Sequence, residues 1–320
     1  MSCTPSSPVV KVLAAAVRRA ARLEFGFVGT ENLLIALVDT TGPGRKLGVK
    51  SLRAQAMARG TEHWASDDGG VLDEPGPDVL ALMRSAHHVA RADAVLPVSR
   101  ALDECLRAAI AEAGDGVLTT THVSLALLGL ESGRAADLMV VRHVDLVATA
   151  AAVRAAAEPE EAPAVWLLRK AGALEGESGG GYVHWLTKLV VRGGGLGGPL
   201  LPAVRHEAER LAVAAGREEA TARDLVAAVL TVDHQLTAAG KELKPEFRSR
   251  AAAALRTAGV DLAALPAVSG GAVERAVEGA KLVAARRGDT VVGPEHLLLA
   301  LRDDPFDPLD GALSGLATEM

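Results

Sequence analysis

The string GFVGTENLLIAL, Gly26 to Leu37, returns as TVVGPEHLLLAL at Thr290 to Leu301. Each copy follows a stretch rich in Ala, Val and Arg. Internal self-similarity constrains a fold more than any single motif. A repeat unit needs a neighbour against which to bury its apolar face, so repeats stack.

Four copies of one pattern can be traced: an amphipathic helix, a short polar loop, a helix start, then a dense aliphatic helix. In copy one, Val9, Val12, Leu13, Ala16, Val17 and Ala20 follow the i, i+3, i+4, i+7 spacing of a helix face. The loop Glu24–Gly29 follows, and Thr30 is the expected N-cap of Asn32–Val38. In copy two the face is Leu102, Cys105, Leu106 and Ala109, with Thr120 or Thr121 expected to cap His122–Leu130. In copy three it is Val204, Ala208, Leu211, Ala212 and Ala215. Thr221 with Asp224 then resembles a capping box opening Ala222–Leu230. Copy four has Val273, Val277, Ala280 and Ala284, and Pro294 suits the first turn of the helix through Leu301. Further helices are expected at Asp78–Ala92, Asp145–Ala157 and Phe247–Ala258.

The predicted fold is all-α, and composition agrees. Hydrophobic residues make up 49% and aromatics only 2%, so the core must be built from Ala, Leu and Val. The glycine clusters Gly176–Gly181 and Gly193–Gly198 mark a boundary. The expected organisation is a first module over 1–157, with repeats at about 9–66 and 98–157. A Gly-rich linker segment spans 158–199. A second module covers 200–320, with repeats at about 200–265 and 272–318.

The pattern resembles the Clp N-terminal domain, the helical repeat pair at the front of the ClpA/ClpC-type unfoldases. Gly29-Thr30-Glu31-Asn32-Leu33-Leu34 and Gly293-Pro294-Glu295-His296-Leu297-Leu298 carry the likeness. Thr119-Thr120-Thr121-His122-Val123 and Ala220-Thr221-Ala222-Arg223-Asp224 match it weakly. The resemblance implies a stand-alone duplicated N-domain protein without AAA+ modules. No G-x-x-x-x-G-K-[ST] loop is present, and Gly48-Val49-Lys50-Ser51 lacks the phosphate cradle. The family's matching glutamates receive the guanidinium of phosphoarginine in some members, which gives Glu31 and Glu295, with Thr30 and His296, as ligand- or peptide-binding candidates. In the middle copies Thr121 and Ala222 stand in place of the acid. Carboxylates in a first helical turn are also expected on structural grounds, because they offset the helix dipole.

Trp166, Tyr182 and Trp185 fall in the linker segment, either as anchors or as a partner surface. The histidines give no metal-ligand spacing: His206-Glu207 lacks a second histidine, and His87-His88 reads as a surface pair. Cys3 and Cys105 make neither a disulfide framework nor a zinc site, and Cys105 is expected as a small buried hydrophobe. No metal, cofactor or catalytic constellation is expected. The net charge of -6 argues against nucleic acid as a partner. No apolar run is long enough to span a bilayer, and MSCTPSSPVVKV lacks signal-peptide character, so a cytoplasmic location is expected.

The resulting expectation is a non-enzymatic binding protein. It would modulate Clp proteolysis, or sequester Clp-targeting peptides or antibiotics. Its partners would be Clp protease components, adaptors or peptide-like ligands, cyclic-peptide antibiotics included. The alternative is a transcriptional regulator, or regulatory partner, built on Clp repeats.

Overall fold

The computed structural model describes residues 3–24, 26–49, 66–92, 95–177, 198–265, 271–304 and 309. These are mostly helical, with only two-residue strands. The chain divides into two compact units, Met1–Ala162 and Pro163–Met320.

Unit 1 holds α1 (Ser7–Arg22), α2 (Thr30–Thr40), α3 (Pro77–Ala90), α4 (Arg100–Ala113), α5 (Thr120–Leu128), α6 (Arg134–Val141) and α7 (Leu146–Ala155). The expected faces of α1 and α4 are the buried ones: Val9, Val12, Leu13, Ala16, Val17 and Ala20 on α1, and Leu102, Cys105, Leu106 and Ala109 on α4. α1 packs against α2 and α3, α4 against α5, and α6 against both α2 and α5. α2 is buried from Thr30 to Val38, so its NLLIALV run has no solvent side to supply with polar residues.

Three short backbone pairings lie at the starts of these helices. β1 (Thr4–Pro5) runs parallel to β4 (Val117–Leu118), with Ser6 N–H donating to Leu118 O at 3.0 Å. In the same arrangement Val28 bridges Val98, and Ser99 N–H donates to Val28 O at 3.0 Å. β2 (Val71–Leu72) pairs antiparallel with β3 (Val98–Ser99).

Unit 2 opens with α8 (Pro163–Lys170), which packs on α9 (Leu200–Ala214) and α10 (Ala222–Ala238). The first part of the expected linker segment is therefore a packed helix. α11 (Ala251–Thr257), α12 (Ala272–Arg287) and α13 (Pro294–Arg302) complete the unit. α9 packs on α10, and α12 on α13, through alanine-rich faces. On α9, Leu211 is half-buried and Ala215 exposed, so the buried face is centred on Leu201, Val204, Ala208 and Ala212. The expected helix at Phe247–Ala258 begins only at Ala251, after a 3-10 turn at Pro245–Phe247. Among the described residues no helix is long and apolar enough to cross a membrane.

Candidate functional site

The helices α2, α5, α10 and α13 start with one device. The third residue of each helix turns its side chain back to accept the N–H of the N-cap residue. The pairs are Gly29 to Asn32 at 2.9 Å, Thr119 to His122 at 3.3 Å, Thr221 to Asp224 at 2.8 Å and Gly293 to His296 at 3.0 Å. Three residue types perform one task, because each presents an acceptor at the same reach. The expected Thr221–Asp224 capping box is present, and Pro294 is the first helical residue. The other two caps lie earlier than expected. Gly29 rather than Thr30 caps α2, and Thr119 rather than Thr120 or Thr121 caps α5. In this register Arg223, not Ala222, stands where copies one and four have glutamate. Asp224 takes both arms of Arg217, at 2.5 and 2.7 Å. Burial alone would raise its carboxyl, but the bonds from Arg217 and Thr221 outweigh it and hold the carboxyl below its usual value.

The freed threonine does other work. Asp68, fully buried, accepts Thr30 N–H at 2.8 Å, Thr30 Oγ1–H at 2.5 Å, Ser99 Oγ–H at 2.5 Å and Arg134 N–H at 2.8 Å. Thr30, Ser99 and Arg134 stand at the starts of α2, α4 and α6, so one carboxylate meets three helix N-termini, where the dipoles favour negative charge. Asp68 adopts φ 64°, a conformation Asp tolerates better than most residues. Gly133, at φ 110°, leaves room for the carboxylate: a Cβ there would lie 2.9 Å from both Asp68 Oδ1 and Ala101 Cβ.

A second carboxylate makes a similar arrangement at the starts of α1 and α5. Glu160 accepts Ser6 Oγ–H at 2.5 Å, Thr120 N–H at 2.9 Å and Thr120 Oγ1–H. Ser6 caps α1 by accepting Val9 N–H, as Ser99 caps α4 by accepting Leu102 N–H. Asp68 thus joins the start of α2 to the start of α4, and Glu160 joins the start of α5 to the start of α1. Neither acid was identifiable from sequence. Asp68 lies in SDDGG and Glu160 in EPEEAP, where acidic residues are ordinary loop composition.

Of the candidates, Glu31 is closed to a ligand. It is 1% exposed, and Oε1 accepts Arg134 Nη1–H at 2.9 Å. Its Oε2 has no hydrogen-bond partner among the described residues. The Arg134 guanidinium stacks over Phe27 at 5.4 Å. The chain supplies its own guanidinium to the position that the resemblance reserves for an incoming one. Burial pushes the Glu31 carboxyl up to about 7; neighbouring Asp68 adds to the rise and Arg134 opposes it.

Glu295 stands differently. It is half-buried, accepts Arg250 backbone N–H at 3.1 Å, and borders a cavity of about 490 Å³. The walls are the loop at 246–250, the loop at 287–293 with the first turn of α13, and Gly198–Leu200. Gly198 passes so close to Val291 and Val292 that a Cβ would lie 3.0 Å from Val292 O. His296 is fixed in the wall. Its Nδ1 accepts Gly293 N–H, so Nε2 carries the proton and donates to Asp289 Oδ2 at 2.8 Å.

The remaining candidates separate. Trp166 is 48% exposed on α8, with Lys170 Nζ 5.3 Å from its ring centre. Tyr182 and Trp185 lie outside the described residues. The histidine pair is corrected: His88 is exposed but His87 is buried, linking Met83 O to Leu96 N–H. Cys105 is buried as expected, and burial pushes its thiol well above the usual range. Among the described residues no group of three or more His, Cys, Asp or Glu side chains is placed to hold a metal ion.

No family model, no curated protein and no solved structure matches the chain.

Proposed function

We propose that the chain is a non-enzymatic binding protein built on Clp N-domain-like repeats, two in each unit. It takes Clp adaptors, Clp protease components or peptide-like ligands, cyclic-peptide antibiotics among them, at the cavity beside Glu295. The repeat reading is supported by the helix-start device common to all four copies and by the exchanged Asp68 and Glu160 contacts in unit 1. The single observation carrying the binding reading is the cavity itself. It opens at the copy that keeps Gly-Pro-Glu-His, and its volume suits a ligand of a few hundred daltons. The corresponding position in unit 1 is filled by Arg134, so one unit presents a site and the other a closed counterpart. The mechanism is competitive occupancy: what sits in this cavity is withheld from the Clp machinery.

Calorimetric titration with a purified Clp unfoldase, its peptidase and a Clp-directed cyclic peptide tests this. Binding of any one that weakens in Glu295→Ala supports the proposal. Absence of heat with all three refutes it.

A further inference from the structure

We propose that the cavity beside Glu295 receives a zwitterionic peptide segment, its anionic group on Arg250 and its cationic group on Glu246. The inference rests on that cavity being the ligand site and assigns the chemistry of its occupant. The charged groups in the wall divide by what already holds them. Asp289 is taken by His296 and by Arg287, whose Nε lies 3.5 Å from Oδ2, and Glu295 Oε1 accepts the Arg250 backbone N–H. The Arg248 guanidinium is taken by Glu175 at 2.7 Å and Glu242 at 3.0 Å. Among the described residues, the Arg250 guanidinium and the Glu246 carboxylate have no hydrogen bond or ion pair. They do not join each other, although both belong to the loop between α10 and α11.

A ligand that settles both groups carries one charge of each sign. A purely anionic ligand would meet Glu246, Asp289 and Glu295, and a purely cationic one would meet Arg248, Arg250 and Arg287. Unlike charges placed together in this way reject singly charged ligands as well as attracting the matched one. Half-buried Phe247, between the two free groups in sequence, supplies apolar wall for the aliphatic stem of a lysine-like side chain. A planar guanidinium holds a carboxylate in two-point contact.

The charges of such a ligand come either from side chains within a longer peptide or from the free termini of a short one. Calorimetry on the full chain separates the two. One probe is an N-acetylated, C-amidated hexapeptide with one lysine and one glutamate in an alanine background. Two controls replace the lysine or the glutamate by alanine, and dialanine with free termini completes the set. The expected result is binding of the doubly charged hexapeptide or of dialanine, with about tenfold weaker binding of each single-charge control. Arg250→Ala and Glu246→Gln should each lower affinity for the bound probe about tenfold. Both side chains are exposed, and Arg250→Ala leaves the backbone bond to Glu295 in place. Peptide binding that ignores charge, or that survives both substitutions, overturns this assignment and leaves the cavity as a binding site. Failure of every peptide, with binding of the Clp-directed cyclic peptide retained, overturns it too. Failure of all ligands overturns the proposed function itself.

Discussion

Replacing Glu31 by Gln isolates the energetics of the closed position in unit 1. Glu31 is almost wholly buried beside Asp68, and its carboxyl is raised from 4.5 to about 7. The folded-state value exceeds the unfolded one, so the group's contribution is complete below pH 4.5. It falls as the unfolded chain alone ionises, and is lost once the pH has risen through 7. At about 1.36 kcal/mol per pH unit, that interval removes about 3 kcal/mol from the stability of unit 1. Glutamine keeps the shape and the contact to Arg134 but does not titrate. Glu31→Gln should therefore match the parent near pH 4.5 and exceed it by about 3 kcal/mol at pH 8. Both cysteines are buried in unit 1, so pulsed thiol labelling across a urea series reports that unit alone when parent and variant are compared at equal pH. If the Arg134 ion pair governed this position instead, the variant would lose ground as the pH rises. A gap that stays constant with pH, or one of that opposite sign, refutes the reasoning.

Asp68→Asn leaves one acceptor oxygen where two accept four hydrogen bonds, so thiol labelling should show a loss of about 3–5 kcal/mol. The same substitution removes the charge that raises Glu31, so the pH dependence of unit 1 should shrink with it. Gly133→Ala should cost about 2–4 kcal/mol in that assay, because its Cβ meets both Ala101 and Asp68 at a positive φ. Thr221→Ala removes the α10 cap and should cost about 1 kcal/mol, read as faster hydrogen exchange over Ala222–Val226.

Much of the helical framework was legible in the sequence. The apolar spacings on α1 and α4 found the buried faces, and the Thr221–Asp224 pair found a real cap. These signals are local: a residue, its neighbours three and four away, and a terminus. Where several residues could serve as cap, the reading slipped. Thr30 and Thr120 looked like caps, yet both are first helical residues whose hydroxyls are drawn to acids far along the chain. The sequence also assigned Glu31 and Glu295 one role. They differ because Arg134 reaches Glu31 across 103 positions, while among the described residues Glu295 accepts a hydrogen bond from the backbone N–H of Arg250 alone.

Sequence alone determined the aliphatic helices, the Thr221–Asp224 cap and the likeness of the outer copies, because periodicity and capping act within a few residues. Only the tertiary structure decided that Asp68 and Glu160 bind the helix starts of unit 1, that Arg134 closes one glutamate, and that the other faces a cavity. Each of these depends on charged groups from distant segments meeting where water is excluded. There an unpaired charge costs most, so the choice of partner is strict. Nothing in the composition of a loop such as SDDGG records which of its carboxylates the fold will bury.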